Sequence, residues 1–154
     1  MKTKFIITDK FFLGVISGIL ANIIENIYNY TSYFFNLTKY FIWHIAASAY
    51  FQIPDVKTMP ALVVGMFTDY AIAAGMGIAT VYLLYLTGED FWFVKGLSVS
   101  SLSWLFVFGI ILRLKIGRID PIDAGTNLVN LIGHILLGIL IPFIIIKLGE
   151  DTVK

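Results

Sequence analysis

Three ionisable residues stand inside stretches that are otherwise apolar: Glu25, Asp69 and His134. A charged group near the middle of a bilayer costs at least about 2.5–3.5 kcal/mol on insertion scales, so it nearly always has a partner or a task. In the functional reading, the two carboxyl groups and the imidazole relay protons or cations. In the structural reading, each carboxyl is a neutral acid hydrogen-bonded to a neighbour such as Asn26 or His134. The only other histidine is His44, on a separate segment. Two imidazoles from different helices can hold a haem b, and a histidine with carboxylates can hold a metal. His44 and His134 are therefore the weak candidates for cofactor binding. No cofactor and no metal site is assigned, and haem b is kept as a second alternative.

No other catalytic chemistry can be read from the chain. A Gly-rich phosphate loop, a nucleophile elbow and an HExxH-type helix are all missing from the sequence. There is no cysteine, which excludes disulfides, thiolate metal sites and cysteine-linked lipid anchors. No catalytic residue is named, and nothing argues for an enzyme.

The polar residues must be placed by helices, and their spacing shows which faces they share. Gly14, Gly18, Asn22, Glu25, Asn26 and Asn29 follow one another at steps of three or four and line one helical face. Small residues let a second helix approach, and the amides beyond them hydrogen-bond across the contact. On the last apolar run, Asn127, Asn130, His134 and Gly138 form a similar stripe. Pro142 removes the amide bond to the Gly138 carbonyl, so the pair reads as a bend, with Gly138 leaving room for the ring. The small-residue run 71–80, including Gly75 and Gly77, predicts close helix packing. Ser98, Ser101 and Trp104 are expected to hydrogen-bond across the bundle.

Four runs are long enough to cross a hydrocarbon core of about 30 Å, which takes about 20 helical residues: 11–30, 60–86, 97–114 and 127–148. The segment 33–52 is less apolar. Its Asn36, Tyr40, His44 and Ser48 recur every four residues, which suits an amphipathic or partly embedded helix, or a fifth span. Charge counting favours five spans: 7 of the 11 basic residues (Lys2, Lys4, Lys10, Lys57, Arg113, Lys115 and Arg118) would then lie inside, against a 6 to 5 split for four. Depth favours four, because Glu25, Asp69 and His134 then share one level and can pair. The expectation is an all-helical integral membrane protein with four spans and one additional helix, the five-span bundle being the alternative. Lys2, Lys4 and Lys10 mimic a secretory signal, but no small-residue cleavage site follows, so the first helix is expected to stay. Phe91, Trp92 and Phe93 suit a membrane interface, and Asp120 or Asp123, followed by Thr126, suits a helix start.

Composition agrees. Over 154 residues the hydrophobic share is 58% and the charged share 14%, with mean hydropathy +0.86. Soluble domains carry about 25% charged residues, so this chain needs lipid as part of its solvent. A net charge of +1 gives no basic face for nucleic acid.

Between Gly65 and Gly138 the chain resembles uncharacterised small multi-pass bacterial membrane proteins. The shared features are Asp69 early in the long span, a loop ending in Lys95 and Gly96, Trp104 eight residues on, and Asn130, His134 and Gly138 at four-residue steps. The resemblance covers about half the chain. It implies four spans with a less apolar helix after the first, and it carries no activity. With it comes an expected location in a bacterial inner (plasma) membrane.

The leading functional expectation is a non-catalytic subunit or scaffold, associating with itself or with other membrane subunits through its glycine and amide faces. The alternative is a small transporter, channel or proton-conducting protein using Glu25, Asp69 and His134.

Overall fold

Asp9 opens the first helix by accepting the Phe12 backbone N–H at 2.6 Å, one of the amides a helix start leaves without a partner. The computed structural model describes residues 7–112, 114, 118–119 and 123–149. Lys2, Lys4, Arg113, Lys115 and Asp120 lie outside the described residues. The helices are α1 (Lys10–Phe34), α2 (Ile42–Ala47), α3 (Met59–Thr87), α4 (Trp92–Trp104) and α5 (Ala124–Leu148). A short 3₁₀ turn spans Ile53–Asp55, and α4 continues as a π-helix over Leu105–Ile111.

The protein is all-helical, and α1, α3, α4 with its π extension, and α5 are each long and apolar enough to cross a membrane. It is a multi-pass membrane protein. The fifth helix, α2, is much shorter than the segment 33–52 predicted for it. The helix of α1 runs on to Phe34, and Asn36 then takes a left-handed conformation (φ 58°) that no continuing helix accommodates. Asn36 and His44 therefore do not lie on one helical stripe.

The four spans alternate in direction. At the near face, where α1 begins and α5 ends, the Ile7 N–H donates to Leu148 O and the Lys10 ammonium sits over the Tyr85 ring. Here α3 ends at Gly88 (φ 81°), and Lys95 Nζ reaches back to the carbonyls of Thr87 and Gly88 at 3.0 and 2.8 Å. At the far face lies α2. There the Thr38 hydroxyl donates to Thr126 Oγ1 and the Arg118 N–H to Ser48 O. Asp123 starts α5 by accepting the Thr126 N–H at 2.9 Å.

Helix α1 packs along both α3 and α5, α4 packs chiefly on α5, and α3 meets α4 only sparingly. Glycines set the close approaches. A side chain at Gly14 would fall on the Ile78 backbone, one at Gly18 on Ala73 and Ala74, and one at Gly77 on Gly14 and Gly18. Gly75 has open space beside it. Between α4 and α5 the Pro142 ring leans on Gly96, and Gly138 makes room for Leu97 and Ser100. The near half is mainly apolar: Leu13, Val81, Leu84, Leu137, Ile141 and Ile145 form one core, with the Ser17 and Thr80 side chains buried among the helices there. A second apolar cluster at the far face joins α2 to the end of α4 through Phe41, Ile45, Phe108 and Leu112.

Candidate functional site

Between those two apolar clusters lies a polar layer. At 1.5 Å per residue, Glu25 sits about 14 Å from the far end of α1, and Asp69 and His134 each sit about 15 Å from the far ends of α3 and α5. Because α1 runs opposite to α3 and α5, these positions coincide in depth. All three residues line one cavity of about 390 Å³. Helices α1 and α5 provide its back, α3 and the π segment of α4 its sides, and α2 covers it.

Asp69 is clasped by the amides of α1. Asn22 Nδ2 and Asn26 Nδ2 both donate to Asp69 Oδ2, at 2.6 and 2.8 Å, and Asn26 Nδ2 also reaches the Asn22 carbonyl. The Trp43 indole N–H, from α2, has no partner within hydrogen-bond range, yet it lies close enough to act on the Asp69 carboxyl. Glu25 is 2% exposed. Its Oε1 accepts from Asn29 Nδ2 one turn along, while its Oε2 is buried with no partner. The Glu25 head rests on Gly133 of α5, where an added methyl would come within 2.6 Å of Oε1 and 3.2 Å of Asn29 Nδ2.

His134 joins the cavity without touching either carboxyl by hydrogen bond. Its Nδ1 pairs with Asn130 O at 3.0 Å. A carbonyl only accepts, so Nδ1 carries the proton and Nε2 is left as an acceptor. The ring meets Phe108 edge-on at 5.8 Å, and Phe108 stacks on Trp104. Asn130 Nδ2 bonds Thr126 O at 2.7 Å, and Asn130 Oδ1 has no partner.

Glu25 and Asp69 are close enough to repel one another as anions. Among the described residues, no lysine or arginine bears on either. Two carboxylates in apolar surroundings cannot both stay charged without a proton or a cation between them.

His44 stands apart. It does not line the cavity, and its Nδ1 accepts the Phe41 N–H at 3.2 Å as part of the α2 start. Burial, and after it the positive charge of Lys57, hold this imidazole below its usual 6.5. Of the two histidines, only His134 lines this cavity. No group of three or more metal-ligating side chains occurs among the described residues.

The hydrogen bonds expected from Ser98, Ser101 and Trp104 fall elsewhere. Ser98 bonds back to Val94 O on its own helix, Ser101 is exposed, and Trp104 Nε1 has no partner. Ser100 makes the cross-bundle bond, to the His134 carbonyl. Ser100 and Gly133 are the site residues that sequence reasoning missed. For Gly133, its place one residue before His134 was the available signal. No protein family, curated protein or solved structure matches the chain.

Proposed function

We propose that this chain is a small membrane carrier of cations, protons included, working through the cavity that holds Glu25, Asp69 and His134. The observation that carries this reading is the Glu25–Asp69 pair: a buried and a half-buried carboxyl group lining one largely apolar cavity, with one Glu25 oxygen lacking any donor. A purely structural pair would have its oxygens satisfied, because an unpaired buried acceptor costs about 1–3 kcal/mol.

The scaffold reading has less support. It rested on glycine and amide faces and small water-exposed loops, whereas Gly14, Gly18, Gly77 and Gly138 are filled by helices of the same chain and, of the packing glycines predicted, Gly75 alone has open space beside it. Placement in a bacterial inner membrane, and kinship with small multi-pass bacterial proteins, belong to this proposal as its expected setting.

Flux into proteoliposomes tests the carrier. Wild type should move protons or a monovalent cation down an imposed gradient, and Asp69→Asn, which keeps an acceptor for Asn22 and Asn26, should abolish the movement. Absence of flux for protons, alkali ions and organic ammonium ions alike in folded wild type would overturn the proposal.

A further inference from the structure

We infer that the cavity takes an organic ammonium ion that still bears N–H groups and carries an apolar body: a protonated alkyl- or arylalkylamine. The inference rests on the carrier reading and names its substrate class. Size comes first. At about 390 Å³ the space falls at the lower end of small-molecule sites, which run from about 300 to 1,000 Å³. A water occupies about 30 Å³ of liquid, so a bare alkali ion would leave most of the cavity unfilled.

The walls come second. Ile42 and Ile45 of α2, Ile72 of α3, and Val107, Phe108 and Leu112 at the end of α4 face the space. They cannot replace the oxygen shell of a hard inorganic cation, which wants about six ligands or more. They can cover a hydrocarbon body. Glu25 and Asp69 line the same space from α1 and α3, so the matching ligand is cationic at one end and apolar at the other.

The third point selects the head group. Glu25 lines the cavity, and its Oε2 is a buried acceptor without a donor. An –NH₃⁺ or –NH₂⁺– group supplies it with a charge-assisted hydrogen bond. A quaternary ammonium brings the same charge and no donor. The site should therefore prefer the protonated amine over its trimethylated counterpart.

Such a head group reaches a membrane protein from two sources: a dissolved amine, or the ethanolamine head of a phospholipid. Purified protein in neutral detergent is titrated with hexylammonium, hexyltrimethylammonium and methylammonium, with calorimetry as readout. Quenching of tryptophan fluorescence gives a second signal, since Trp43 lies beside Asp69 and Trp104 stacks on the cavity residue Phe108. The expected result is saturable hexylammonium binding, roughly tenfold or more tighter than either comparison ion, and lost in Glu25→Gln. Phe108→Ala should weaken hexylammonium by a larger factor than methylammonium. Repeating the titration in nanodiscs with and without phosphatidylethanolamine separates the sources. Weaker apparent affinity in its presence supports the lipid head group, and unchanged affinity supports the dissolved amine.

No saturable response to hexylammonium in folded wild type overturns the inference, as does equal binding of the trimethylated ion or binding that survives Glu25→Gln. Thermal unfolding of each variant establishes that it is folded. Cation flux that Asp69→Asn abolishes, without hexylammonium binding, leaves the carrier standing and removes this substrate class. Binding without flux of any cation does the reverse.

Discussion

Gly75 and Gly77 sit two residues apart on α3 and differ only in what lies beside them, so the same substitution should act in opposite directions. At Gly77 a new Cβ would meet the α1 backbone, with Gly14 C and Gly18 N each at 2.9 Å. Backbone cannot swing aside as a side-chain tip can. Overpacking of this kind costs about 1–3 kcal/mol. At Gly75 nothing lies within 4 Å, so Gly75→Ala gains up to about 0.8–1 kcal/mol of helix propensity. The propensity gain is common to both sites and cancels, so the two variants should differ by the overpacking cost, about 1–3 kcal/mol, or about five- to over a hundred-fold in the folding equilibrium. Reversible unfolding in mixed micelles with rising SDS, followed by circular dichroism, reads this directly. The Asn22 and Asn26 clasp on Asp69 begins one turn beyond Gly18, so Gly77→Ala should also lower cation flux, and Gly75→Ala should not. Equal stabilities for the two variants would refute the packing argument, because they would mean that α1 and α3 do not meet at Gly77.

Three further outcomes are expected. Gly133→Ala should push the Glu25 carboxyl off α5 and impair flux several-fold more than it lowers stability, which paired transport and unfolding measurements check. Asp123→Ala should cost about 0.5–2 kcal/mol by removing the α5 cap. The Thr126 backbone N–H holds the Asp123 carboxyl below its usual 3.8, so the Asp123 contribution is full above 3.8 and fades as pH falls through the lower folded value, a dependence that Asp123→Ala should erase from acid unfolding curves. His44 carries the same direction by a different route. Its imidazole is held below 6.5, so the unfolded chain binds the proton first; stability is full above 6.5 and declines as pH falls below it. In unfolding measured between pH 7 and 5, His44→Gln should flatten that decline.

Much of the fold was legible because lipid imposes a simple rule on length and polarity. Four uninterrupted apolar runs left little choice of architecture, and the Gly14–Gly18 step marked the face that α3 covers. The common depth of Glu25, Asp69 and His134 followed from counting residues to helix ends. Periodicity assigns a residue to a face, however, and says nothing of the neighbour on that face. Hence Ser100, not Ser98 or Ser101, reaches α5, and Gly133 carries the Glu25 head. The left-handed Asn36 and the π-helical turns after Trp104 carry no signal in the sequence. Their sequences, TSYFFNLT and WLFVFGII, are compatible with ordinary helix.

The mainly apolar near half has a consequence for any solute the cavity admits. Leu13, Leu84, Ile141 and Ile145 form an apolar stopper in which the buried Ser17 and Thr80 hydroxyls are neutral and offer a charged guest no counter-charge, so the chamber is a blind alley as it stands. Crossing demands that α1, α3 and α5 part at that level. Throughput would then be governed by how seldom the stopper loosens, whatever the strength of capture. A resting membrane would be spared a continuous leak.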